Sequence, residues 1–404
     1  MQKYKLNGET IDSVELKALC ISRGIKVSNK VYKEMGKNYR VYPDPLKCNC
    51  MILPDGTIVQ MTDLQFHFKY LKSALSWDSI KQVKYFSQMN TPFSLDLDDS
   101  GKPTLYYNKE IVTEVSFPES TQFYKQKTSS GLPFLGNAVI QGRQWLAFQC
   151  LWPCDYACAG QSCEFCYFGG VFENLAKRKK PLPKIPTPMD VAEIVYYAVI
   201  ETGYCDSIQI TGGSTFNHDK ERELIESYLQ AINKMVGREN IKGEILLYIT
   251  PPKTPDGVDN YFKLGADRIA CSIEVWDEKL ATIITPGKIN ITTRQRHLDV
   301  LEFIAEKYGP NKAFSNFIIG LEPYESLMEG AEYLASKGII PTASVWIPFG
   351  RPVMGSMKAP DLEFFRNVKQ GFAELYKKYG LEPAGASGIN VCIERDIWRY
   401  VNNT

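Results

Sequence analysis

From about residue 145 onward the chain alternates between apolar runs and amphipathic ones. Trp145–Gln149, Ser207–Thr211, Glu244–Thr250, Arg268–Val275, Ala313–Gly320 and Ile339–Ile347 are short and rich in apolar residues. Near-continuous apolar runs, unlike strict alternation, predict strands buried on both faces and hence a parallel sheet. Between them, apolar positions recur at helical spacing over Val191–Ile200, Glu221–Met235, Arg294–Lys307 and Tyr324–Lys337. Thr187-Pro-Met-Asp190 offers the first of these helices an N-cap, a first-turn proline and a carboxylate three residues on. Strand–helix units repeated with right-handed crossovers predict an α/β fold, either a barrel or a doubly wound sheet. In a barrel, the reactive site lies at the C-terminal ends of the strands.

The first 140 residues read differently. Lys47–Met61 predicts a hairpin around Pro54-Asp-Gly56, and short strands such as Glu110–Phe117 follow. The expected organisation is a mixed α+β N-terminal domain over 1–140, a core over 141–360, and a C-terminal cover over 361–404. That cover is a helix, Asp361–Tyr379, followed by an irregular tail. The basic, proline-rich stretch Lys177–Pro186 reads as a solvated connector.

Composition narrows the function. The 404 residues suffice for one large domain or two smaller ones. With 47 basic and 46 acidic residues the net charge is +1, so no global field points to nucleic acid or an anionic membrane. No uncharged run approaches the roughly 18–20 apolar residues of a spanning helix. The opening Met1–Glu9 lacks the apolar core of a signal peptide. Eleven cysteines, an odd number, argue for reduced thiols or metal ligands and not for a disulfide framework. The expectation is a cytoplasmic protein.

Four of those cysteines carry the chemistry. Cys154, Cys158, Cys163 and Cys166 fall within thirteen residues, with Cys150 just upstream, where the strand Trp145–Gln149 ends. Thiols packed this closely in a strand-end loop indicate an iron–sulfur or zinc centre.

These residues resemble the radical S-adenosylmethionine (radical SAM) superfamily, in which three cysteines, usually C-x3-C-x2-C after the first barrel strand, hold a [4Fe–4S] cluster. An aromatic residue commonly precedes the last cysteine, as Phe165 does here. Further segments match in order over about residues 145–355. Gly212, Gly213 and Ser214 stand where the family carries Gly-Gly-Glu beside the methionyl amino group. Ser272 and Glu274 resemble positions that bind ribose hydroxyls or the methionyl carboxylate. Asn316 and Gly320 lie in a segment resembling the one that flanks adenine, and Val345–Gly350 resembles the strand that closes over the nucleoside. Ser214 departs from the family's glutamate. The cysteine spacing departs too, and two registers stay open: Cys158-x4-Cys163-x2-Cys166 and Cys154-x8-Cys163-x2-Cys166.

The resemblance implies a partial (β/α)6 TIM-type barrel holding a [4Fe–4S] cluster and S-adenosyl-L-methionine. It implies reductive cleavage of SAM to a 5′-deoxyadenosyl radical under anaerobic conditions, with an electron donor such as flavodoxin or ferredoxin. The protein's share of such chemistry is to hold, orient and shield the cofactors. On this reading Gly213→Val is expected to block SAM while leaving iron in place. No cobalamin-type Asp-x-His-x-x-Gly motif and no cysteine-rich C-terminal extension is present, which favours one cluster acting on a small molecule or cofactor precursor. Catalytic residues toward that substrate are not legible.

Competing readings are a four-cysteine zinc or electron-transfer scaffold, and a SAM-dependent radical methyltransferase or peptide maturase. Cys48, Cys50 and Cys150 are a weaker second group. Cys20, Cys205, Cys271 and Cys392 read as small buried hydrophobes. His67, His218 and His297 lack metal-ligand spacing. Lys288 and Arg351, near strand ends, are candidates for an anionic substrate or the SAM carboxylate.

Overall fold

Six strands run parallel in the order of the chain. They are β10 (Trp145–Phe148), β11 (Ser207–Ile210), β12 (Ile245–Tyr248), β13 (Arg268–Ala270), β14 (Ala313–Ile319) and β15 (Ile340–Val345). The computed structural model describes residues 1–38, 50–61, 91–119, 121–142, 144–148, 152–347, 358–383 and 391–402. Helices His218–Met235, Arg294–Tyr308 and Tyr324–Ser336 return the chain between strands. The fold is α/β, a partial (β/α)6 TIM-type barrel. Each strand is buried almost throughout on both faces, so that even the polar Ser207, Gln209, Thr342 and Ser344 are shielded from solvent.

Both edges of this open sheet are covered. At one, β9 (Ala138–Gln141) pairs antiparallel with β10. At the other, residues 391–393 lie antiparallel to β15, with Val345 N donating to Val391 O and Ile393 N to Ala343 O, each at 2.9 Å. Unpaired strand edges invite association with other chains, and this pairing removes them.

Local signals set the helix ends. Thr187 caps Pro188–Tyr196 through a reciprocal capping box with Asp190, as its sequence predicts, and the helix continues as a π-turn over Tyr197–Glu201. Asp361 caps Leu362–Tyr379. Two expectations need correction. The tail is not irregular, because Glu394–Asn402 is a helix, and the basic connector begins inside another helix, Tyr167–Lys177.

The N-terminal residues form β1 (Lys3–Leu6) with β2 (Glu9–Asp12), a mixed sheet β3 (Lys26–Val27), β6 (Phe93–Leu97), β7 (Pro103–Tyr107) and β8 (Glu110–Glu114), and two helices, Ser13–Arg23 and Asn29–Asn38. The hairpin of β4 (Cys50–Ile52) and β5 (Ile58–Gln60) turns at Pro54-Asp-Gly56. Helix Ser13–Arg23 packs against helix Leu362–Tyr379 and β15. Charges seal that contact. Lys17 Nζ lies 2.7 Å from Asp396 Oδ2 with both side chains almost fully buried, and Lys369 Nζ reaches Asp12 and Glu15 at 2.5 and 2.6 Å. Among the described residues no helix is long and apolar enough to cross a membrane.

Candidate functional site at the C-terminal ends of the strands

The loop after β10 is built from two short turns that start at cysteines. Cys154 caps helix Asp155–Cys158, whose Cys158 N donates to Cys154 O at 3.0 Å. Cys166 caps helix Tyr167–Lys177, and its Sγ accepts the Gly169 N–H at 3.3 Å. Between them Phe165 packs with Val275, Ile318, Leu321 and Trp346, fastening the loop over the ends of β13, β14 and β15.

The glycine loop after β11 is stitched to the first of these turns. Gly213 N donates to Trp152 O at 3.1 Å, the Trp152 indole N–H donates to Gly213 O, and Asp155 N donates to Ser214 O at 2.8 Å. Asp155 Oδ2 accepts from Thr215 Oγ1 and Phe216 N at 3.0 and 2.9 Å. A Cβ at Gly212 would overlap the Trp152 indole, and one at Gly213 the backbone of Cys154. The two glycines therefore admit the protein's own cysteine loop.

The four thiols differ in what surrounds them. Burial raises the Cys154 thiol, the Ala157 N–H opposes that rise, and the Cys166 sulfur adds to it. Burial also pushes Cys163 well up; Lys288 pulls it down, while Cys166, Glu274 and Cys154 push it further. Cys158 is raised by burial and by Asp155, with no contribution from another cysteine. Cys154, Cys163 and Cys166 thus lie within reach of one another's charge, and Cys158 stands apart. Among the described residues no three Cys, His, Asp or Glu side chains converge to metal-binding distance. Thiol donors of this kind are the ligands that iron–sulfur clusters use.

Opposite the cysteines runs a polar network. The β13 ladder breaks at Cys271–Ile273, where Ile273 N donates to Ser315 Oγ at 2.9 Å, and rejoins at Glu274, which bridges to Phe317. Glu274 takes φ 71°, unusual for a residue with a side chain. Its Oε1 accepts from Lys288 Nζ and its Oε2 from Asn316 Nδ2, both at 2.9 Å. Lys288 also donates to Ser272 O at 2.5 Å. Asn316 Oδ1 accepts from Ser344 Oγ at 2.8 Å and Thr342 Oγ1 at 3.1 Å, and Cys392 Sγ is 3.2 Å from Ser344 Oγ. Gly320, at φ 102°, lies against Pro360 and Trp346. Among the described residues the buried Trp346 indole N–H has no hydrogen-bond partner.

The structure thus gathers Ser272, Glu274 and Asn316 into one network and joins Gly212, Gly213 and Ser214 to the cysteine loop. Lys288, read as a candidate for an external anion, is engaged by Glu274. Cys392 is not a plain apolar filler, since it faces Ser344 in this network. Its sequence signal was the polar residue at every second position of β15, Thr342 and Ser344. Trp152 and Asp155, which join the two loops, carry no signal beyond their nearness to the cysteines. Cys48, Cys150, His67, Arg351 and residues 348–350 lie outside the described residues. Cys50 is buried in β4. His297 bonds Thr293 O at 2.8 Å, and His218 Nε2 lies 2.9 Å from Arg296.

Beside the glycine loop, at the ends of β11 and β12, a cavity of about 340 Å³ is lined by residues including Phe216, His218, Glu221, Thr250 and Tyr261. Glu221 Oε1 accepts from Thr250 N at 2.9 Å, while Oε2 has no partner. Burial pushes this carboxyl up to about 7.

The chain is similar in part to several known proteins. The chain is 27% identical over 274 residues to the bacteriochlorophyllide c C-7(1)-hydroxylase of Chlorobaculum limnaeum, covering 65% of this chain and 67% of that protein. A 90-residue stretch is 37% identical to a ParA family protein of Mycoplasma pneumoniae, covering 21% of this chain and a third of that protein. The FeFe-hydrogenase maturase HydG from Carboxydothermus hydrogenoformans is similar at TM-score 0.41 and 19% identity, over 59% of this chain and 53% of its own. This chain therefore spans between a third and two thirds of these proteins' lengths. Residues 156–334, which run from the cysteine loop through β14, match the Radical SAM superfamily. Residues 156–334 of this parallel half-barrel thus carry a radical SAM domain, and the protein is an enzyme.

Proposed function

We propose that this enzyme cleaves SAM reductively and uses the 5′-deoxyadenosyl radical to take hydrogen from a small-molecule or cofactor-precursor substrate. The grouping of Cys154, Cys163 and Cys166 beside the glycine loop carries this reading. Membership of the family implies SAM and an iron–sulfur cluster; when bound, a [4Fe–4S] cluster supplies the single electron that breaks the C5′–S bond. Cys154, Cys163 and Cys166 hold it, and Cys158 is a neighbour.

The chain's own residues do the rest. Backbone groups of Gly212, Gly213 and Ser214 line the approach to the methionyl group. Ser272, Glu274 and Asn316 present the polar side of the nucleoside pocket. Asn316 and Gly320 belong to the segment that would flank the adenine. Phe165, Val275, Ile318 and Leu321 form an apolar wall that excludes water from a radical. Residues 1–140 and 361–404 act as accessory cover to a core over 141–360. The name of the Chlorobaculum limnaeum relative, a bacteriochlorophyllide hydroxylase, supports the cofactor-precursor side of this reading. A cytoplasmic, anaerobic setting with flavodoxin or ferredoxin as reductant completes it.

The test is anaerobic reconstitution, reduction with dithionite and addition of SAM. Methionine and 5′-deoxyadenosine are expected, slowly, even without substrate. An iron-replete sample that binds SAM and releases no 5′-deoxyadenosine, with or without cell extract, rejects the proposal. S-adenosylhomocysteine as product points instead to methyl transfer, and a colourless zinc protein to a scaffold.

A further inference from the structure

Lys288 is placed by a second loop that is bolted to the cysteine loop. Glu164 N donates to Ile284 O at 2.8 Å and Gly287 N to Gln161 O at 3.1 Å. Gly287 has no room for a side chain, since a Cβ would come within 2.6 Å of Gln161 O. Ile284, Leu280 and Ile289 pack in the same apolar cluster as Phe165. The backbone of 284–288 is therefore held in register with residues 161–165, and Lys288 follows directly.

Its ammonium is equally constrained. Ser272 O and Glu274 Oε1 accept from it at 2.5 and 2.9 Å, and its side chain is 15% exposed. Burial acts against the charge, but Glu274, Cys163 and Cys166 outweigh it and raise Lys288 above its ordinary value. The chain thus keeps a fixed cation on Glu274, in a loop hydrogen-bonded to residues 161 and 164 on either side of Cys163. A buried charge held this firmly stabilises added negative charge nearby, because little water is present to screen it.

Resting on the cluster assignment proposed above, we infer that Lys288 is a positioning residue that sets how readily the cluster held by Cys154, Cys163 and Cys166 accepts its electron. Net charge and hydrogen bonds around the sulfurs are among the protein's main controls on cluster potential. The positive charge of Lys288 favours the reduced cluster. Glu274 holds the ammonium in place and partly offsets it. The same pair links the sulfurs to Asn316, so a ligand that competes for Glu274 changes the field at the cluster.

The test is a redox titration of the anaerobically reconstituted full chain without SAM. Reduced cluster is read by electron paramagnetic resonance, and iron is counted per chain. In Lys288→Met the reduced-to-oxidised ratio at the wild-type midpoint falls about tenfold, a shift of about 59 mV to more negative potential for a one-electron couple. Lys288→Arg, which keeps the charge, stays near wild type. The double variant Lys288→Met/Glu274→Gln, with no uncompensated buried charge, lies between. An iron-replete Lys288→Met with the wild-type midpoint overturns the inference. If that variant takes up no iron, the double variant decides, and a wild-type midpoint there overturns it equally. Should neither neutral variant assemble a cluster, assembly by Lys288→Arg supports the role of the charge, and its failure overturns it. A wild-type protein that binds no iron would instead remove the cluster assignment itself.

Discussion

The α-carbon of Gly213 lies directly against the backbone of Cys154, so any side chain at 213 would overlap that cysteine. The Gly213 N–H to Trp152 O bond and the Asp155 N–H to Ser214 O bond, at 3.1 and 2.8 Å, hold the two loops in this contact.

Gly213→Ala should therefore reduce bound iron as well as SAM affinity, because the new methyl group displaces Cys154. Overpacking of this kind costs about 1–3 kcal/mol where it cannot relax. This revises the sequence-based expectation that a larger residue at 213 would spare the iron. Iron content and SAM binding measured on the same preparation check it. A variant with full iron and no SAM binding would restore the earlier view.

Single alanine substitutions at 154, 163 and 166 should abolish the cluster, whereas Cys158→Ala should retain it. The asymmetry follows from Cys158, whose neighbouring charge is Asp155 and not another sulfur. Iron count and the resonance spectrum of the reduced cluster decide. Equal loss at all four positions would indicate a closed four-thiolate site.

Lys17→Ala should destabilise the protein by about 3–5 kcal/mol, since it leaves Asp396 charged and buried without its partner. The pair's side chains are 0% and 3% exposed. Lys17→Met combined with Asp396→Leu should recover most of that loss. Urea unfolding of the three proteins measures both effects, and additive losses in the double variant would show that the pair does not act as a unit.

Burial raises Glu221 and Glu394 to about 7 from near 4.5. The folded chain then holds protons that the unfolded chain has released, so this contribution is full below about pH 4.5 and is lost as pH rises through about 7. His218 and His297 run the other way. Burial lowers them to about 4 and about 3, so their contribution is present above about 6.5 and is lost as pH falls through those values. The difference in unfolding free energy between wild type and Glu221→Gln cancels the histidines. It should move against wild type by on the order of 2 kcal/mol between pH 5 and 8. A constant difference over that range would mean that Glu221 is already ionised at pH 5.

Much of the fold was legible because its signals are local. The apolar runs at Ser207–Ile210, Ile245–Tyr248 and Ala313–Ile319 need two buried faces, and that alone implies a parallel sheet with helices between. Thr187 is read correctly as a cap because the bond it makes spans only three residues. The C-terminal helix Glu394–Asn402 escaped because it spans only nine residues, too few for the apolar Ile397, Trp398 and Val401 to establish a period. The stop of β13 escaped because Ile273 gives up its ladder bond to the side chain of Ser315, forty-two residues away.

By itself the sequence determined the class of chemistry, since four thiols in thirteen residues after an apolar strand imply a metal centre whatever surrounds them. Which sulfurs gather was left to the tertiary structure. Cys154-x8-Cys163 and Cys158-x4-Cys163 are both feasible loops, and in the fold it is Cys154 that packs against Gly213. Likewise Lys288 reads from sequence as a free cation near a strand end, and only the seating of residues 284–288 against 161–164 gives it to Glu274 and the sulfurs. Spacing along a chain governs contacts within a turn or two. Contacts between residues 14 to 379 positions apart, such as Lys288 with Glu274 and Lys17 with Asp396, exist only once loops have closed and the packing has chosen among alternatives that the spacing leaves equal.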